Sequence, residues 1–145
     1  MGEISVGAVA VSSVLCAAAA IWTVALIAVD AEERRLPDVW TLPVAGAAAA
    51  ACVAVPAGAA GLVWPLAYAV AGRGIGGGDV KLAVPLGVVL ALLGGVGAVL
   101  AGMFLASMFT VLVLLARRKK TMAHGPSMLA AAWLVGIAST FLSPV

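Results

Sequence analysis

Apolar stretches separated by short polar or glycine-rich links run through this chain from end to end. Six can be drawn: about Ile4 to Val29, Val39 to Val55, Ala59 to Ala71, Val80 to Leu93, Val96 to Ala116 and Ser127 to Leu142. Several approach or exceed the ~20 residues that a helix needs to cross a bilayer core. The third and fourth are short and are expected to extend into the neighbouring glycine-rich link. Pro43, Pro65 and Pro85 fall inside segments. They are expected to kink helices two, three and four, because neighbouring groups in a membrane can satisfy the freed carbonyls. The stretch "GAVLAGMFLAS" carries small residues at four-residue spacing, which suits close helix packing.

Composition sharpens this pattern. The chain has 145 residues, 65% of them hydrophobic and only 10% charged, with a mean hydropathy of +1.23. The expectation is an all-α integral membrane protein of about six transmembrane helices, forming a single domain over residues 1–145. The N-terminus lacks the basic region of a secretory signal, so the first segment reads as a retained helix. Cys16 and Cys52 lie within apolar segments and read as small packing residues. No Cys-x-x-Cys motif is present. No metal, organic cofactor or nucleic-acid partner is expected; the lipid bilayer is the surrounding.

The charges then orient the chain. Arg34 and Arg35 lie between segments one and two, and Arg73 and Lys81 flank the link between three and four. Arg117, Arg118, Lys119 and Lys120 lie between five and six. With six spans, all 8 basic residues share one side, while the links "PAGAAG" and "GGVG" carry no charge. The positive-inside rule makes the basic side cytoplasmic and both termini extracytoplasmic.

Asp30 ends segment one and Asp79 begins segment four, so the topology puts both at one depth on the basic side. Two neighbouring carboxylates can hydrolyse a peptide without metal. One takes a proton from water, and the other donates to the scissile carbonyl. They share a proton because both cannot ionise cheaply side by side. Gly76, Gly77 and Gly78 have no side chains, which lets a substrate backbone approach Asp79 and tolerates unusual backbone angles. A structural reading stands beside this one. Asp79 and Asp38 each precede a helix and suit N-caps. Asp30 closes a helix, against the dipole, and Arg34 four residues on is an ordinary salt-bridge partner for it.

The motifs carry a resemblance. "GGGDVKL" fits the Gly-x-Gly-Asp signature of intramembrane aspartic proteases, with Gly76, Gly78 and Asp79 on its fixed positions. "VDAEERRLPDVWTLP" resembles the first catalytic motif of the bacterial type IV prepilin peptidase family, with Asp30, Leu36, Pro37 and Asp38 matching. "HGPSMLAAA" is similar to that family's Phe-Gly-Pro stretch, keeping Gly125 and Pro126 with His124 in place of Phe. The resemblance implies Asp30 and Asp79 as the catalytic pair, with Pro37, Asp38, Lys81, Gly125 and Pro126 as structural motif positions. It implies an aspartic endopeptidase in the bacterial cytoplasmic membrane, acting at the cytoplasmic face. The substrates would be pilin-like precursors with a short basic leader, cleaved after a glycine just before an apolar helix. Glu32 and Glu33 are candidates to attract that leader, or else form a solvated loop offset by Arg34 and Arg35. The cysteine-bearing N-terminal region found in many relatives is missing, so N-methyltransferase activity is not expected. The chain looks like a short form linked to tight-adherence pili. Two other classes fit the composition: a small proton or ion transporter, and a non-catalytic pilus-assembly membrane protein.

Overall fold

A computed structural model describes residues 6–71, 75–118 and 122–142. Glu3, Arg73, Lys119 and Lys120, placed by the sequence in terminal or loop positions, lie outside the described residues. Helix α1 is Val6–Glu33 and α2 is Asp38–Ala54. A 3-10 helix, Pro56–Leu62, runs into α3, Val63–Ala71; α4 is Gly77–Arg117 and α5 is Gly125–Leu142. Among the described residues there is no strand. In hydrocarbon, helices of this kind satisfy every backbone polar group within the segment.

Helix α4 has 41 residues. At ~1.5 Å per residue it would extend ~60 Å, about twice a bilayer core. It is broken at Gly94 (φ −150, ψ 20) and Gly95 (φ 65, ψ −162). The Gly95 angles belong to a region open essentially to glycine alone. The two arms, 77–93 and 96–117, then lie side by side. Gly102 of the second arm faces Leu90 of the first so closely that a Cβ there would stand 2.6 Å from the leucine Cδ1. Ala98, Gly102 and Ala106, the four-spaced small residues, are all buried along this seam.

The six apolar stretches thus fold as helical pieces at the expected places, the fourth and fifth joined across a glycine break. The chain remains helical through Pro43, Pro65 and Pro85, and the non-helical angles inside α4 fall at the glycines. One expectation changes. "PAGAAG", expected as a bare link, is a packed 3-10 turn. Gly61 in it touches Gly87 of α4 backbone to backbone, and a Cβ on either would overlap the other.

Helix α4 is the hub: α2, the 3-10 helix, α3 and α5 all pack on it, while α1 packs on α5. Trp64, Leu82, Leu90, Met128 and Leu129 fill the core. Val14, Leu15, Ile21 and Val24 of α1 and Phe104 and Leu115 of α4 point outward, which only an apolar solvent favours. Among the described residues three helices are long and apolar enough to cross a membrane: Val9–Glu33, Gly77–Arg117 and Gly125–Leu142. Asp38–Ala54 and Pro56–Ala71 are shorter apolar helices. The protein is an all-α membrane protein.

Candidate active site

Asp30 sits one turn before the end of α1, three residues earlier than Glu33. It is 5% exposed, with Oδ2 buried and without a hydrogen-bond partner. The helix does not stop at Asp30, as the sequence suggested. It ends where Arg34 adopts a left-handed conformation (φ 52) and its amide bonds the Asp30 carbonyl at 3.0 Å. Asp30 makes no ion pair with Arg34; the ion pair among the described residues is elsewhere. Instead the N-terminus of α5 is set against it, with the Gly125 backbone facing the carboxylate. A Cβ on Gly125 would stand 2.5 Å from Asp30 Oδ2. The start of a helix favours negative charge. That offsets the poor placement of Asp30 at the end of its own helix.

Asp79 is not the N-cap of α4. Gly76 is the cap, in extended conformation (φ −69, ψ 144), and Gly77 and Gly78 open the helix. Asp79 is the third helical residue, and its carboxylate turns back toward Gly76, as acids at that position commonly do. None of the three glycines has a positive φ. Their value here is room. A Cβ on Gly77 would meet nothing, whereas one on Gly78 would press Leu36 at 3.0 Å.

Asp30 and Asp79 line one cavity of about 470 Å³. Gly76, Gly77, Gly78, Leu36, Asp38, Lys81 and His124 line it too, with Arg34 and Arg35. The three sequence motifs therefore converge. Buried Leu36 sits between them, against Gly78 on one side and Gly125 on the other.

Asp38 also departs from its expected role. Pro37 is the N-cap of α2, without a side-chain capping bond, and Asp38 is the first helical residue. Its Oδ1 accepts from Lys81 Nζ at 2.6 Å. Lys81 is thus paired with Asp38 at the cavity that both line. Pro126 is the second residue of α5, where its missing amide leaves no bond unmade. Glu32 and Glu33 are exposed on the last turn of α1, on the helix and not in a loop, outside the cavity lining.

Two more residues complete the site: His124, which stands in the place of Phe in the third motif, and Tyr68, which no motif flagged. His124 lies in the turn before α5; Tyr68 Oη is 2.8 Å from its Nε2 and Thr110 Oγ1 is 2.7 Å from its Nδ1. Burial holds the His124 pKa below its usual value, and the Asp30 charge opposes that shift. Tyr68 is the single tyrosine of the chain and stands in an apolar helix. A polar-tipped aromatic there needs a partner, and that was the available signal. Among the described residues no three His, Cys, Asp or Glu side chains gather as a metal site requires.

The model of the type IV leader peptidase family matches residues 17–115. The chain belongs to that family. The match takes in Asp30 and Asp79, with the second half of α1 and nearly all of α4. No curated protein and no solved structure matches it. The protein is therefore a membrane peptidase of leader-peptidase type, a hydrolase whose family acts on pilin-like precursors.

Proposed function

We propose that this chain is an intramembrane aspartic endopeptidase that removes the short basic leader of type IV pilin-like precursors, of the tight-adherence kind, at the cytoplasmic face of the bacterial membrane. Asp30 and Asp79 are the catalytic pair. The observation that carries this reading is their placement on one cavity, beside glycines that leave the approach open. One carboxylate, ionised, takes a proton from water as the oxygen attacks the scissile carbonyl carbon. The other, protonated, gives its proton to the carbonyl oxygen. When the tetrahedral adduct collapses, the C–N bond breaks and the amine leaves with a proton from the pair. Gathering Arg34, Arg35 and Lys81 at this cavity supports a cytoplasmic placement. Glu32 and Glu33, exposed on the turn leading into it, are the surface offered to a basic leader.

A transporter would need a polar track through the bundle. Ser13, Ser107 and Thr110 instead bond carbonyls of their own helices, at Val9, Met103 and Ala106. The test is co-expression with a pilin precursor carrying a basic leader, reading leader loss by mass. Asp30→Asn and Asp79→Asn should each abolish cleavage with insertion unchanged, since asparagine keeps shape but neither takes nor shares the proton. The double variant should be no worse, because residues acting as a unit are not additive. Full cleavage by inserted Asp79→Asn would sink the reading.

A further inference from the structure

His124 is the single histidine of the chain, and the two-carboxylate mechanism leaves it without a task. Its partners suit one arrangement of its protons. The Thr110 hydroxyl has one hydrogen and two neighbours in reach, the Ala106 carbonyl at 3.0 Å and His124 Nδ1 at 2.7 Å. With that hydrogen on the carbonyl, which can only accept, the Thr110 oxygen accepts from His124 and Nδ1 carries the ring hydrogen. Nε2 is left to accept from the Tyr68 hydroxyl. A neutral imidazole has one donor and one acceptor nitrogen, and these partners use both. The rings of Tyr68 and His124 also pack at 5.7 Å between centroids.

His124 is at the same time the residue whose carbonyl accepts the first bond of α5, from the Met128 amide at 3.2 Å. The next residue is Gly125, whose backbone lies against the Asp30 carboxylate. A ring tethered to α3 and α4 therefore sets where α5 begins, and that beginning touches Asp30.

We propose that His124 is a positioning residue, held as the neutral Nδ1–H tautomer, which places the Gly125 backbone on Asp30 by bridging Tyr68 and Thr110. This rests on Asp30 and Asp79 being the catalytic pair. His124 acts through Gly125. The groups facing the same cavity divide in sign. Arg34, Arg35 and Lys81 oppose a further cation, Asp30 and Asp79 favour one, and Asp38 is matched by Lys81. Tyr68 donating to Nε2 belongs to the neutral ring, whereas an imidazolium would need that hydroxyl to turn and accept instead.

Histidine-selective 15N labelling of the full chain in lipid nanodiscs reads one residue. At neutral pH it should show a protonated Nδ1 and a bare, hydrogen-bonded Nε2, and Tyr68→Phe should move the Nε2 resonance. The opposite tautomer or an imidazolium at that pH would overturn the proposal, whatever the peptidase assay gives. In that assay His124→Phe keeps a ring but removes both nitrogens of the bridge, while the Tyr68 hydroxyl keeps polar neighbours in Trp64 and Ser107. We expect kcat to fall about tenfold with KM within about twofold, as misplacement of Asp30 implies. Adding Tyr68→Phe leaves the bridge broken and should recover little of that loss. Full kcat in the single variant, or a double variant restored to wild-type kcat, would overturn the positioning role while inactive Asp79→Asn left the catalytic pair standing. Active Asp79→Asn would instead defeat the pair, and the role with it, leaving only the tautomer.

Discussion

The helices that carry the two aspartates are held in opposite ways. Helix α4, with Asp79, is packed by α2, the 3-10 helix, α3 and α5. Helix α1, with Asp30, packs on α5 alone among the main contacts, and most of its length is exposed. One carboxylate thus belongs to the core of the bundle, and the other is brought to it by a helix with few attachments. Those attachments are specific. Leu26 is fully buried, Trp133 Nε1 donates to Thr23 Oγ1 at 3.0 Å, and Trp22 Nε1 donates to the Trp40 carbonyl at 3.1 Å. The Gly125 backbone then receives Asp30 itself. An element with few packing contacts is the one expected to open first. The spacing of the pair therefore depends on how α1 is fastened, more than on the hub.

The largest effects should come from glycines that serve the two helices differently. Gly61→Ala forces a Cβ into the Gly87 backbone and should lower stability by about 1–3 kcal/mol, as overpacking does, with a matching loss of folded protein. Gly125→Ala forces a Cβ onto Asp30 Oδ2; it should leave the melting temperature nearly unchanged and reduce kcat at least about tenfold. Equal melting losses in both would erase the distinction between hub and attachment.

Next comes the fastening of α1. Thr23→Val strands the Trp133 indole N–H and should remove about 1 kcal/mol, seen as faster hydrogen exchange in α1 with α4 unaffected. Exchange rising equally in both helices would show that α1 is not the looser element.

A smaller effect follows pH. Burial holds the His124 pKa below its ordinary 6.5. As pH falls, the unfolded chain takes up this proton first, so folded stability is full above about 6.5 and declines below it, through the lowered folded-state pKa. The wild-type melting temperature should fall relative to the His124→Phe/Tyr68→Phe variant as pH drops through that window. A constant difference would contradict it. The smallest effect is at the cavity lining. Lys81→Met or Asp38→Asn removes a largely exposed ion pair, which is worth no more than about 1 kcal/mol, and cleavage should stay within about threefold of wild type.

By itself the sequence determined what depends on local composition and spacing. Apolar stretches long enough for helices, divided by glycines at 94–95, were legible because hydropathy and backbone freedom act along the chain. The meeting of Asp30 and Asp79 on one cavity was legible too, since the expected alternation of spans, with the basic residues on one side, put them at one depth. Other features carry no periodic signal. Tyr68 meets His124 across 56 positions and Lys81 meets Asp38 across 43. The contact of Gly61 with Gly87 and the lodging of Leu36 between Gly78 and Gly125 are equally remote in sequence. A capping pattern could suggest Asp79 and Asp38 as caps, but Gly76 and Pro37 took those places. Only the tertiary structure decided these, because a helix face is chosen by the shapes that pack on it. An apolar stripe can turn many ways in lipid before a buried glycine, a hydroxyl or an imidazole selects one.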